Sequence, residues 1–300
     1  MGWGTRFLPE FYYLWLRIPM AAHWLISILA GLVLSGQSLP FFCSEPLRTS
    51  PSDELRCLYA DHRGMLWIGT NSGLKSYDGY NLQTVPITPD GTGTLPSKTI
   101  LSITEDPDDN LWLGTRNGLV RLDRKNGLSV AFHLDGPAQE NIYTLYTASD
   151  GTVWIGTDGG LTRYEADTGR FTTYGADNAW VILPDGTRTR PETYGVKSIV
   201  ETPDGDLFIG TWSSGLLRFD PKEATFRAYP AFNPAGSAFA LMLDSRERLW
   251  IGTWGQGLFI LDQPFDEEAS QIRCIVPAAA GQRNFTRIVE DTRGGGRLGR

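Results

Sequence analysis

From about residue 53 onward the chain alternates apolar and polar positions over short stretches. LRCLYA before Asp61 and ILSITE before Asp106 place apolar side chains at every second position, the two-residue period of a half-buried strand. Gly, Pro, Asp and Asn bound these stretches and mark turns. One phrase then keeps returning. LWIGT at 66–70 reappears as LWLGT at 111–115, VWIGT at 153–157, LFIGT at 207–211 and LWIGT at 249–253. Trp67, Trp112, Trp154, Phe208 and Trp250 hold its second position, at spacings of 45, 42, 54 and 42 residues.

The surroundings of the phrase repeat as well. An alternating strand precedes each copy and ends in an acid, read as Asp61, Asp106, Asp150, Asp204 and Asp244. A four-residue turn leads into the phrase. A short loop after it closes on Gly-Leu and a third strand, GLKSYD, GLVRLD, GLTRYE, GLLRFD or GLFILD. A weaker fourth strand follows, clearest as FTTY at 171–174 and FRAY at 226–229. Four short antiparallel strands per unit, at a period of about 40–45 residues, predict an all-β propeller.

A lone four-stranded sheet has two faces to cover, and neighbouring blades cover both. Packing therefore accounts for the tryptophan column without any chemistry. Gly69, Gly114, Gly156, Gly210 and Gly252 are expected to permit close approach of the next blade. The units run at about 53–98, 99–140, 141–194, 195–236 and 237–283, with a partial sixth at 284–300. FTRIVED at 285–291 matches a first strand, but TRGGGRLGR follows where a turn and LWIGT belong. The expectation is five complete blades plus one strand: an incomplete ring, read as a fragment of a longer protein or as one whose last residues come from a faulty frame.

Composition sharpens this picture. Thirty-four Gly and ten Trp suit short strands and tight turns, and 41% hydrophobic residues is enough for a core. A net charge of -7 argues against a nucleic-acid partner held by a general basic surface. Near the N-terminus, Trp24–Leu34 is an apolar run of 11 residues, preceded by Arg6 and Arg17 and followed by Ser35, Gly36, Gln37 and Ser38. That order is a secretory signal over 1–38, too short in its apolar part for a membrane span, with an uncleaved anchor as the alternative. Residues 39–52 are a lead-in. Cys43, Cys57 and Cys274 form no CxxC, and His23, His62 and His133 share no ligand spacing, so no metal, cofactor or catalytic residue is assigned. Cys57 and Cys274 read as buried strand residues.

The recurring pattern I.ED..G.LWIGT..GL.R.D over Asp53–Asp291 resembles the two-component regulator propeller repeat, and GLKSYDGYN at 73–81 resembles the first repeat of such sensors. The resemblance implies the periplasmic sensor region of a hybrid two-component system of the Bacteroidetes type. Its full-length parent would be anchored in the inner membrane, act as a homodimer and carry a histidine kinase beyond this chain. It also implies an oligosaccharide from polysaccharide breakdown as ligand. Phe208 for Trp, Val153 for Leu, Glu165 for Asp and the failed sixth repeat depart from the pattern.

In such a meander the loops joining strands two and three emerge on the same face as the connections between blades. That face is where the sequence varies. The second-to-third loop gains a residue and a tryptophan in blades four and five, as Thr211-Trp212-Ser213-Ser214-Gly215 and Thr253-Trp254-Gly255-Gln256-Gly257. A long connection at 175–192 carries Trp180, Asp185, Arg188 and Arg190. Aromatic faces beside Arg and Asp suit a sugar or acidic glycan, so these six residues are the candidate ligand contacts. The bland reading is that Trp212 and Trp254 cap the neighbouring blade and that the arginines lie in a solvated loop. The first functional reading is a non-catalytic sensor. The rivals are a secreted propeller enzyme, a lyase or quinoprotein-like dehydrogenase needing an acid/base group in the channel, and a protein-interaction scaffold.

Overall fold

The structure, a computed structural model, describes residues 53–87, 96–134, 136, 139–175, 178–190, 195–229, 236–266, 270–277, 284–290 and 296–299. The signal segment 1–38 and the lead-in 39–52 lie outside them. Blade one comprises β1 (Leu55–Ala60), β2 (Leu66–Thr70), β3 (Leu74–Tyr77) and β4 (Leu82–Val85). Blade two comprises β5 (Ile100–Glu105), β6 (Asn110–Thr115), β7 (Gly118–Asp123) and β8 (Ser129–Phe132). Blade three follows with β9 (Ile142–Thr147), β10 (Val153–Thr157), β11 (Gly160–Glu165) and β12 (Arg170–Tyr174). Two short strands, β13 (Trp180–Ile182) and β14 (Arg188–Thr189), come next. Blade four is β15 (Val196–Glu201), β16 (Leu207–Thr211), β17 (Leu216–Asp220) and β18 (Thr225–Ala228). Blade five is β19 (Ala240–Leu243), β20 (Leu249–Gly252), β21 (Gly257–Asp262) and β22 (Gln271–Pro277), and β23 (Arg287–Glu290) with β24 (Gly296–Gly299) ends the chain.

Each blade is a four-stranded antiparallel meander, and the five stand in a ring as a β-propeller with an incomplete sixth blade. The first strands β1, β5, β9, β15, β19 and β23 touch one another in succession, so they line the axis and the fourth strands form the rim. Among the described residues no helix is long and apolar enough to cross a membrane.

The core lies between blades. Trp112 packs with Ile142, Leu145 and Ile155 of blade three, while its neighbours Leu111 and Leu113 pack with Trp67 and Ile103 at the junction of blades one and two. The same exchange runs round the ring. Trp154 faces Val196 and Ile199 of blade four, Phe208 faces Leu241 and Ile251 of blade five, and Trp250 faces Phe285 and Ile288 of the sixth unit. The strand period of two thus sends the aromatic forward to the next blade and the aliphatics back. The five aromatics are 0–8% exposed.

Glycine after the aliphatic is required by that approach. A Cβ on Gly114 would lie 2.6 Å from Ile142 Cγ2, one on Gly156 2.7 Å from Val196 Cγ1, and one on Gly252 2.6 Å from the Phe285 carbonyl oxygen. Each clash falls on the axial strand of the following unit, so any side chain here would push two blades apart.

The acid before the turn has a further job. Asp61, Asp106 and Asp244 accept the indole N–H of Trp67, Trp112 and Trp250 at 2.9, 2.7 and 2.8 Å, and also accept backbone N–H groups of their own turns. Assigning Asp150 and Asp204 to this position is corrected by the turn bonds: Ala148 N–H donates to Thr152 O at 2.8 Å and Thr202 N–H to Asp206 O at 2.8 Å, so Ala148 and Thr202 occupy it. In blade four the loss is matched, because Phe208 has no N–H to satisfy.

Three further differences from the sequence reading appear. The connection at 175–192 contains strands: β13 pairs parallel to β18 and β14 antiparallel to β13, which widens blade four to six strands at its rim. The sixth unit holds two strands, because Ile288 pairs with Leu298 in register between β23 and β24. Cys274 is exposed whereas Cys57 is buried. Cys274 sits on the rim strand β22, where pairing to Phe259 on one side leaves the other edge without a neighbouring strand.

Candidate functional site

The face bearing the second-to-third loops is built the same way five times. The hydroxyl of Thr70, Thr115, Thr157, Thr211 or Thr253 donates to the carbonyl of Gly73, Gly118, Gly160, Gly215 or Gly257, at 2.9, 2.7, 3.2, 2.9 and 2.7 Å. This buried bond closes each turn. It leaves the residue after threonine on the surface: Asn71, Arg116, Asp158, Trp212 and Trp254 in order.

A second variable position stands beside it. The ladder between the first two strands slips between Leu55 and Cys57, Ile100 and Ser102, Ile142 and Thr144, and Val196 and Ser198. A bulge of this kind re-aims the extra residue away from the ladder. The bulged residues are Arg56, Leu101, Tyr143 and Lys197, and Phe239 holds the matching place before β19. Two variable residues per blade therefore stand on the face that carries the second-to-third loops, around the end of the axial strands at the mouth of the ring.

On blades three to five these positions converge. Tyr143 Oη donates to Asp158 at 2.8 Å, and Lys197 Nζ lies 3.2 Å from the other Asp158 oxygen and 3.0 Å from the Tyr143 ring centroid. Lys197 Nζ is also 5.7 Å from the ring of Trp212. Trp212, Phe239 and Trp254 form a triangle with ring centroids 5.6–5.8 Å apart and mutual tilts of 41–70°. Trp212 and Trp254 remain 47% exposed each, while the Lys197 side chain is 7% exposed. Burial holds the Lys197 ammonium below its ordinary pKa, with Asp158 opposing the shift. The Tyr143 phenol is pushed up to about 12, first by burial and then by its bond to Asp158. The result is a cation held rigidly between a carboxylate and an aromatic ring, next to a half-open aromatic platform.

Of the sequence candidates, Trp212 and Trp254 are brought together here. Trp180, Asp185, Arg188 and Arg190 are gathered elsewhere, on the β13–β14 hairpin at the rim of blade four. There the Arg190 guanidinium lies 3.7 Å from the Trp180 ring centroid and donates to Ala179 O at 3.0 Å. Asp185 accepts the Thr187 N–H at 2.9 Å in the hairpin turn, which holds its carboxyl below the ordinary value. Arg188 is exposed on β14. Phe239, Lys197, Tyr143 and Asp158 were missed in the sequence. They stand at the bulged position of the first strand and at the residue after the threonine, two columns whose identity changes from blade to blade within otherwise regular repeats. Aligning the five units column by column was the signal that could have found them.

The opposite face holds charge of another kind. His62, Glu105 and Asp109 offer ligand atoms within 4.8 Å of one another. Arg124 is 6% exposed and bonds Asp61, Glu105 and Asp109 together, and Arg63 also reaches Asp109. His62 accordingly pairs with Glu105 at 3.0 Å in a network that ties blade one to blade two. With both carboxylates already matched by guanidinium groups, the arrangement is an inter-blade clamp.

The family described as "Two component regulator propeller" matches residues 49–72, 94–117 and 136–159, each covering a first strand, its turn and the LWIGT phrase. The chain carries two-component regulator propeller repeats. No curated protein matches the sequence. Among solved structures, the chain is similar to an extracellular domain described as that of the hybrid two component system BT3049 of B. thetaiotaomicron, with TM-score 0.61 and 21% identity, over 82% of this chain and 32% of that one. The corresponding domain described for BT4673 of the same organism gives 0.56 and 20%, over 83% and 37%. Virginiamycin B lyase from Staphylococcus aureus gives 0.60 and 14%, over 80% and 75%. At such identities the likeness is one of fold. This chain spans about a third of the length of the two extracellular domains.

Proposed function

We propose that this regulator propeller is part of the exported sensing region of a hybrid two-component system, that its variable face binds an oligosaccharide, and that the bound state is passed, through a homodimer of the full-length sensor, to a histidine kinase outside this chain. The observation that carries the reading is the platform of Trp212, Phe239 and Trp254 beside Lys197 and Asp158. Aromatic faces stack on the apolar faces of sugar rings, while fixed polar groups orient the hydroxyls. The exported location rests on the signal-like 1–38 segment together with the extracellular likeness of the two-component domains. The propeller-lyase reading has less support: it needs an acid/base group in the channel, and His62 is engaged with Glu105 on the opposite face while His133 follows the rim strand β8.

The test is titration of the purified chain with a panel of oligosaccharides, following tryptophan fluorescence. Replacing both Trp212 and Trp254 by Ala should abolish the response while leaving the circular dichroism unchanged. Replacing Trp180 and Arg188 on the rim should leave affinity intact. If no oligosaccharide binds, or if the double variant binds as the parent does, the reading is wrong.

A further inference from the structure

We infer that the ligand of this mouth carries an anionic group, a carboxylate or a sulfate, and that Arg116 on blade two receives it while the platform on blades four and five holds a sugar ring. The inference rests on the oligosaccharide reading and adds the charge of the ligand and the residue that selects it.

Most charges around the mouth are already matched. Arg56 pairs with Glu54 at 2.6 Å, Lys75 with Asp53 at 2.5 Å, and Lys197 with Asp158 at 3.2 Å. Arg116 has no ion pair among the described residues and is exposed, although it occupies the same position in its turn as Trp212 and Trp254 do in theirs. Its backbone is anchored, with the N–H donating to Thr99 O at 3.3 Å. Its positive charge opposes the upward shift of the Tyr143 phenol. In ring order the variable positions of blades two to five therefore run from Arg116, through Tyr143 and Lys197, to Trp212 and Trp254.

The neighbouring charges favour an anion. Lys98, one residue before Thr99, is a second exposed cation, and Glu140, whose carbonyl accepts the Gly118 N–H at 2.8 Å, is the exposed acid among the described residues of this sector. Among the described residues, two cations without an ion pair against one acid give this sector a locally positive field on a chain whose net charge is -7. Such a field concentrates anions at the mouth. A guanidinium fork presents two parallel N–H donors to a carboxylate or sulfate, a geometry that a neutral hydroxyl cannot match.

The experiment uses the full chain and matched probes: an oligogalacturonate trisaccharide, its fully methyl-esterified form, and the same linkage carrying sulfate. The acid and the sulfate should bind about tenfold more tightly than the ester, and this preference should shrink as salt is raised. Arg116→Ala should remove the preference and leave ester binding unchanged, while Arg116→Lys should retain part of it. Equal binding of acid and ester, or an Arg116→Ala variant that keeps the preference, overturns the anionic inference and leaves the oligosaccharide reading standing. Failure of all three probes and of the neutral panel above removes both.

Discussion

In blades one to three the turn after Thr70, Thr115 and Thr157 closes on the glycine three residues later, and the residue behind the threonine is Asn71, Arg116 or Asp158. In blades four and five the turn holds one residue more, the glycine stands four residues later, and the position is Trp212 or Trp254. The threonine-to-glycine bond survives the insertion in both. So does the close approach of Gly210 and Gly252 to the next axial strand. The added residue therefore changes what the turn displays without changing how the blade packs. The family match stops short of blades four and five, where both the insertion and Phe208 occur. Blades four and five thus depart from the repeat in what they display while keeping its frame.

The strongest test of this separation is to damage the two regions in turn. Trp112 is fully buried between blades two and three, stacks on Phe132 with ring centroids 5.7 Å apart and meets the tilted ring of Tyr164 at 4.6 Å. Trp112→Ala should cost roughly 3–5 kcal/mol by loss of packing and creation of a cavity. Trp212→Ala, at a half-exposed ring, should move thermal stability by less than about 1 kcal/mol. Thermal melts of the two variants decide it, and similar losses would mean that Trp212 is a structural cap.

A smaller effect separates blades that share the buried tryptophan. Asp106→Ala strands the indole N–H of Trp112 and three turn donors, and should cost about 1–3 kcal/mol. Blade three already has Ala148 at that place, so Ala148→Asp should be neutral or stabilising if the cap is portable. A loss of stability in the second variant would show that blade three has settled into its own turn geometry.

Binding gives the third contrast. Trp254→Ala should weaken oligosaccharide affinity by roughly tenfold or more, as truncation of a central aromatic contact does. Trp180→Ala on the rim hairpin should leave it unchanged. The reverse result would move the site from the mouth to the edge of blade four.

Much of the frame was legible in the sequence because it follows from period and volume. Two-residue alternation fixed which face each LWIGT side chain takes, and glycine at a fixed place in the phrase marked the close contact. Three things were not legible. The acid was assigned by its place in the sequence, so Asp150 and Asp204 were chosen over Ala148 and Thr202, because backbone bonding within a turn has no signature in residue type. The strands in 175–192 were hidden because β13 pairs parallel to β18, a partner about 45 residues away, and the Asp185-Gly186 turn that joins β13 to β14 was read as part of a loop. At the mouth, Trp212 and Trp254 stood out as insertions, whereas Tyr143 and Lys197 sit inside ordinary-looking strands and are re-aimed only by a bulge, and Phe239 just precedes β19.

The last contrast is one of pH. Burial raises the carboxyl of Asp244, but Trp250, Arg248 and the backbone N–H groups of Arg248 and Arg246 together outweigh it and hold the pKa below its ordinary value. A carboxylate whose folded-state pKa is depressed contributes stability above its unfolded pKa, near 3.9, and that contribution is lost as pH falls through the folded value. Asp185 is depressed as well, by the Thr187 N–H, yet its carboxyl is exposed and its bond stays within its own turn on the rim hairpin, whereas Asp244 bonds the buried indole of Trp250. Asp244→Asn should therefore lower the melting temperature at neutral pH, and the gap to the parent should close as pH falls below about 4. Asp185→Asn should leave the melting temperature almost unchanged across the same range, because the exposed carboxyl satisfies only the N–H of its own turn and no buried donor depends on it. Melts followed by circular dichroism from about pH 3 to pH 7 read both variants. A gap for Asp244→Asn that stays constant with pH would mean that the carboxylate acts on Trp250 by shape and hydrogen bonding alone.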